Sequence, residues 1–179
     1  MNGTWIQTVS GRRVDLPFPK PEQIDIEDIA YALSMKCRFN GHTNKFYSVA
    51  SHSIGVSRLM EPRLWLPALL HDANEAYLPD VPRPVKDLLS DYKDIEDTVQ
   101  AVIEKKYGIK LTLEDRRAIK RADNIMLATE GRDFLGDTEG WGLKENPQDN
   151  EIVYIPEIER VRRDFLGLFT LYTDIIRIF

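Results

Sequence analysis

Apolar residues recur at helical spacing along most of this chain, though not at its start. Trp5-Ile6-Gln7-Thr8-Val9 and Arg12-Arg13-Val14-Asp15-Leu16 flank Ser10-Gly11, a pair with the backbone freedom of a tight turn, and predict a short β-hairpin. Pro17, Pro19 and Pro21 then hold the chain extended, because each biases its predecessor away from helix. Residues 1–20 therefore read as a hairpin and a Pro-rich lead-in.

Beyond Pro21 the pattern is helical. Ile26, Ile29, Ala30 and Leu33 form one stripe, and Ser48 can cap a helix carrying Ala50, Ile54, Val56 and Leu59. Residues 64–78 are apolar enough for one central, buried helix, stopped by Pro79, Pro82 and Pro84. A further helix from about Ser90 shows Ile95, Val99, Val102 and Ile103 on one face and ends at Gly108. Thr112-Leu113-Glu114-Asp115 has the spacing of a capping box before a long helix with Ile119, Ala122, Met126 and Thr129 on one side. The polar segment 136–150 predicts a flexible loop, and Pro156 suits the first position of a last helix with Ile158, Val161, Phe165, Leu168 and Tyr172. The predicted fold is all-α, a helical bundle with a short N-terminal β-hairpin.

The chain has 179 residues, 42% hydrophobic and 30% charged, which suits a single domain over 1–179 that buries its own core. Without a basic n-region or a long apolar run, a soluble cytoplasmic protein with no membrane contact is expected. The lone Cys37 fits a reducing compartment. A net charge of −5 argues against binding duplex nucleic acid, whereas a small anionic substrate would need a local cluster of metal and Arg or Lys. The apolar end, Ile175-Ile176-Arg177-Ile178-Phe179, either covers the bundle or forms the seam of a homo-oligomer.

The three histidines fall in the first half: His42 in a loop, His52 in the first turn of a helix, His71 inside the most apolar stretch. Burying His71 and Asp72 unpaired would cost several kcal/mol. A divalent ion removes that cost, since imidazole nitrogen and carboxylate oxygen are suitable ligands; ordinary hydrogen bonding of a core histidine is the alternative. Glu75, four residues after His71, would share its helix face and could orient a water or take its proton. Asp123, beside Ile119 and Met126, also needs a partner: a metal, a salt bridge to Lys120 or Arg121, or solvent.

In several words the chain resembles the HD-domain metal-dependent phosphohydrolases, above all small phage and prophage members: Leu33-Ser34, Cys37-Arg38-Phe39-Asn40-Gly41-His42, Phe46-Tyr47-Ser48-Val49-Ala50-Ser51-His52-Ser53, Leu69-Leu70-His71-Asp72-Ala73-Asn74-Glu75-Ala76-Tyr77 and Arg121-Ala122-Asp123. The resemblance implies that His52, His71, Asp72 and Asp123 bind one divalent metal, with Co, Mn, Zn, Fe or Ni suited and Mg less so. Bacterial 5′-deoxynucleotidases of this kind carry a Glu and an Asp in the pattern matched here by Glu75 and Asp80, which makes these the catalytic candidates. For Asp80 the alternative is a turn or cap residue before Val81-Pro82.

Arg38-Phe39 fits the place where the relatives grip the phosphate and contact base or sugar, although the nucleotidases commonly have Trp where Phe39 stands. His42, Lys45 and Lys86 could extend the phosphate pocket or simply be solvated, and Pro84, with Pro79 and Pro82, would wall the base. The expected function is removal of the 5′ phosphate of deoxynucleoside monophosphates. Two alternatives stand beside it: a triphosphohydrolase of the phage dATP type, and a nucleotide-binding regulatory module with little turnover.

Overall fold

Gly11, at φ 85°, turns strand β1 (Trp5–Gln7) back onto β2 (Arg13–Asp15), pairing Trp5 with Asp15, Ile6 with Val14 and Gln7 with Arg13. The computed structural model describes residues 4–136 and 138–176. Val14 is the hairpin's inward residue and is fully buried. The turn is pinned to the first helix, α1 (Ile26–Met35), by Asp28, whose carboxylate accepts from the Ser10 amide at 2.9 Å and the Ser10 hydroxyl at 2.7 Å.

The predicted stripes bury as expected in α1 and in α2 (Val49–Arg58), whose caps are Asp25 and Ser48. They do so also in α6 (Leu113–Glu130) and α7 (Ile158–Ile176), which follow α3 (Trp65–Leu69), α4 (Arg83–Lys86) and α5 (Tyr92–Lys106). Val161, Phe165 and Tyr172 of α7 are buried, and α7 packs on α1, α2 and α3. The seam suggested for the chain end falls largely on 177–179, outside the described residues. Pro156 lies two residues before α7 rather than at its first position, and Ile95 of α5 is 38% exposed rather than part of the inward face. Segment 138–150 has no helix or strand, as expected, but is tied down: the Gln148 amide donates to Thr129 Oγ1, and Arg132 donates to the carbonyls of Gln148 and Asn150. Among the described residues no helix is long and apolar enough to cross a membrane.

The main departure is at 64–78, where one helix is expected and three short pieces are found: a 3₁₀ turn (Pro62–Leu64), α3, and a second 3₁₀ turn (Ala73–Ala76). Leu66, Leu69, Leu70 and Ala73 are buried, so the apolar run reports burial but not period. The ladder breaks because side chains take over its backbone groups. Gln100 of α5 donates to the Leu70 carbonyl at 2.9 Å and accepts from the Asn74 amide at 3.3 Å. Leu70 and Asp72 consequently sit at φ −102° and −108° with ψ of 12° and 21°, outside the helical well. His71 and Glu75 therefore do not share a face of a regular helix.

Gly55 of α2 faces Met126 of α6, where a Cβ would come within 2.5 Å of Met126 Cε, and the missing side chain lets the two helices approach closely. His52 lies three residues before Gly55, and Asp123 three before Met126, so the same approach brings His52 to Asp123.

The capping box of α6 yields a pH prediction. Arg63, then the amide and hydroxyl of Thr112, hold the Asp115 carboxyl at about 2. That lies below the unfolded value of about 3.9, so the stabilisation is complete above about pH 4 and is lost as pH falls through about 2. Metal-free Asp115→Asn should show a shallower fall in Tm over this window than wild type. Equal slopes would contradict this assignment.

Candidate metal centre

His52 lies one turn into α2: the Ser48 cap starts the helix, and the apolar stripe carries the imidazole inward to zero exposure. His71 and Asp72 enter from the broken stretch after α3, and Asp123 from the middle of α6. Asp72 Oδ2 lies 3.2 Å from His71 Nε2 and 3.7 Å from His52 Nε2. Asp123 Oδ1 lies 3.1 Å from His52 Nε2 and 4.0 Å from His71 Nε2. The ligand atoms of His52, His71 and Asp72 are all within 4.8 Å of one another, so this group could hold a metal ion.

The hydrogen bonds of the two imidazoles suit that use. His52 Nδ1 meets Glu130 Oε1 at 2.6 Å, and His71 Nδ1 meets the Ala68 carbonyl at 2.8 Å. A carbonyl, and a carboxylate held ionised, can only accept, so both Nδ1 atoms carry protons and Nε2 is the atom each ring would offer a metal. Burial and Arg38 oppose a charged His52, yet Glu130 and Asp123 raise its pKa to about 9, and a metal at Nε2 would displace that proton. Both Nε2 atoms are buried without a hydrogen-bond partner; the 3.1 Å contact to Asp123 has the distance but not the direction of one. With both rings neutral, as metal ligation requires, two Nε2 lone pairs would face carboxylate oxygens, a repulsion that a cation between them would relieve. The donor set, neutral imidazole with carboxylate, fits a divalent first-row ion.

Electrostatics extend the group to residues not needed as ligands. Burial would raise the Asp72 carboxyl, but His71 beside it holds it below the usual range. Burial likewise works against a charged Arg38, and Glu130 together with Asp80, Asp72 and Asp123 more than offsets it, with Nη2 donating to Glu130 Oε2 at 3.0 Å. Arg38 Nε is buried and without a partner. Burial, then the charges of Asp72 and Asp80, push the Glu75 carboxyl well above the usual range, and Glu75 Oε2 is also unpartnered. Burial pushes Asp80 upward too, against the pull of Arg38. Lys86 acts on both carboxylates from a distance while its Nζ is paired with Glu96 at 2.7 Å.

The structure thus gathers His52, His71, Asp72, Asp123, Arg38, Glu75 and Asp80 in one region. His42 and Lys45 are exposed, and among the described residues neither has a hydrogen bond or ion pair to the group; Lys45 Nζ lies 5.0 Å over the Tyr154 ring instead. Pro84 is exposed on α4. Phe39 adopts φ 53°, a left-handed conformation costly for a non-glycine residue, and its ring lies 5.2 Å beneath the Arg38 guanidinium. Asp123 serves two readings at once: Oδ1 faces His52, while Oδ2 accepts from Lys120, which at i−3 shares its helix face rather than splaying away.

Sequence reasoning missed four residues. Glu130 is seven residues after Asp123, two turns along the same face of α6, and this spacing was a usable signal. Gln100, Lys36 and Trp141 had none. Lys36 Nζ donates to the carbonyls of Glu75 and Leu78, clamping the segment that carries both catalytic candidates. Trp141 packs against Phe39 with ring centroids 5.9 Å apart and planes tilted by 39°. A cleft of about 240 Å³ opens onto His71, Asp72 and Asp123, between Gln100 and Lys120. Another, of about 170 Å³ between α2, α6 and segment 148–155, contains none of the predicted residues.

Purified wild-type protein loaded with Co²⁺ or Mn²⁺ should carry about one ion per chain, and His71→Ala or Asp72→Ala should lose most of it by elemental analysis. Unchanged metal content in His71→Ala would remove His71 from the centre.

No protein-family model matches the chain. It is 44% identical over 143 residues to the uncharacterized protein YfdR of Escherichia coli (strain K12), an alignment covering 79% of each chain. It is 38% identical over 151 residues to the uncharacterized protein RCAP_rcc00048 of Rhodobacter capsulatus, covering 78% of this chain and 77% of that one. Identity at this level over more than two thirds of both partners reflects common descent, and the chain belongs to the family of YfdR.

Proposed function

We propose that this chain is a metal-dependent phosphohydrolase of the HD type that removes the 5′ phosphate of deoxynucleoside monophosphates. The observation that carries the reading is a convergence of unsatisfied buried groups: His52 Nε2 and His71 Nε2 beside the carboxylates of Asp72 and Asp123, with Arg38 Nε and Glu75 Oε2 nearby. Unpartnered buried polar atoms are costly, and a cation together with an anionic ligand would satisfy them.

His52, His71, Asp72 and Asp123 would hold the ion, with Co, Mn, Zn, Fe or Ni suited to this donor set. When bound, it would supply Lewis-acid polarisation of a phosphate oxygen. Arg38 donates to the phosphate through the face that Glu130 leaves free. Asp80, half-buried and without a hydrogen bond among the described residues, takes the proton of the water that attacks phosphorus. As the bond from phosphorus to the 5′ oxygen breaks, Glu75, whose raised carboxyl retains its proton to higher pH than an exposed glutamate, protonates the leaving oxygen.

The supply of free cations favours one phosphate over three. Lys36 is engaged with backbone carbonyls, Lys86 with Glu96, and Lys120 with Asp123, which among the described residues leaves Arg38, paired with Glu130 at Nη2 but unpartnered at Nε, as the main donor for phosphate oxygens. The metal-loaded protein should release orthophosphate from deoxynucleoside monophosphates. Asp80→Asn should lower kcat by about 10²–10⁴-fold while retaining the metal. Release of triphosphate from deoxynucleoside triphosphates without orthophosphate would replace the monophosphatase reading, and inertness of the loaded protein toward every nucleotide would favour a binding module.

A further inference from the structure

Glu130 has zero exposure, and each of its oxygens has one charged or polar partner: Oε1 meets Nδ1 of His52 at hydrogen-bond distance, and Oε2 accepts a hydrogen bond from Nη2 of Arg38. A guanidinium can only donate, so Oε2 is an acceptor, and the two contacts together leave neither oxygen unpaired. A carboxylate buried to this extent is tolerated only when both oxygens are satisfied. As a plain ion pair with Arg38 it would need no imidazole; as a partner of His52 alone it would need no guanidinium. Making both contacts ties the last turn of α6 to α2 and to the turn Arg38–Gly41.

We propose that Glu130 is a positioning residue that couples metal binding to phosphate binding. The inference rests on the reading of His52 as a ligand and Arg38 as the phosphate donor. Through Oε1 it fixes the tautomer of His52, so that the Nε2 lone pair faces His71, Asp72 and Asp123. Through Oε2 it occupies Nη2 of Arg38 and fixes the plane of the guanidinium, leaving Nε unpartnered. A neutral amide of the same shape cannot serve both neighbours. With its oxygen toward His52 it presents N–H to the Arg38 guanidinium, and with its oxygen toward Arg38 it presents N–H to Nδ1 and favours the wrong tautomer. Either orientation degrades one half of the centre, and sampling of both degrades the two together.

The test uses the full chain, with Co²⁺ alone as the first probe and inorganic phosphate added to the Co²⁺-saturated protein as the second. Glu130→Gln should raise the Co²⁺ dissociation constant by about 10–100-fold and weaken phosphate binding to the saturated protein by at least about fivefold. Arg38→Met should weaken phosphate binding alone. A role confined to stability would lower Tm and leave both dissociation constants of the folded protein unchanged; that result overturns the proposal. Should Glu130→Gln fail to fold, Glu130→Asp keeps the charge but shortens the reach, and wild-type values for both probes in that variant overturn it equally. Failure of the wild-type chain to bind Co²⁺ sinks the metal-centre reading and this inference with it. Binding by wild type that is unaffected in either variant sinks this inference alone.

Discussion

The completely buried imidazole of His52 is the point where the constraints of the molecule meet. One ring nitrogen is held at 2.6 Å by Glu130 at the end of α6, and the other faces Asp72 and, at 3.1 Å, Asp123. For both contacts to exist, α2 must lie close along α6, and Gly55 beneath Met126 permits that approach. The spacing of Asp123 and Glu130 by two helical turns then places one carboxylate on each side of the ring. Packing of two helices and satisfaction of one side chain are therefore the same constraint seen from two directions.

A second constraint acts on the stretch after α3. A continuous helix there would consume the Leu70 carbonyl and Asn74 amide internally, whereas Gln100 engages both and the backbone opens into turns. His71 turns its Nδ1 back to the Ala68 carbonyl and leaves Nε2 toward His52. Lys36 then secures the next turn through two carbonyls, which holds Glu75 and the approach to Asp80. Local helix propensity gives way to side-chain contacts from elsewhere in the chain, a common pattern where a site needs side chains to converge.

Charge is unevenly matched in this region. Asp72, Glu75, Asp80, Asp123 and Glu130 stand against Arg38, with Lys86 and Lys36 partly committed elsewhere. The structure distributes the imbalance by giving the carboxylates different environments: Asp72, Asp123 and Glu130 are held ionised by the imidazoles and Arg38, while Glu75 and Asp80 are pushed toward their neutral forms by burial. The first three suit ligation and charge balance; of the other two, Glu75 is pushed well above the usual range and Asp80 less strongly, with Arg38 pulling against burial, the order that the proposed acid and base would need.

The amino-acid pattern by itself determined the helical class, the N-terminal hairpin, the caps at Ser48 and Thr112, and the stripes of α1, α2, α6 and α7, because periodicity and capping act within a few residues of chain. It also singled out His71, Asp72 and Asp123, since polar groups on apolar faces demand partners wherever they are buried. Tertiary structure decided what those partners are. Whether 64–78 stays helical depended on Gln100, some thirty residues away; whether Asp123 pairs with Lys120 or faces His52 depended on α2, and it does both with different oxygens. His42 and Lys45 share a loop with Arg38 in sequence, yet only Arg38 is drawn inward, because Glu130 offers it a buried counter-charge. Contacts of that range leave no mark on local periodicity, and only the folded chain brings them together.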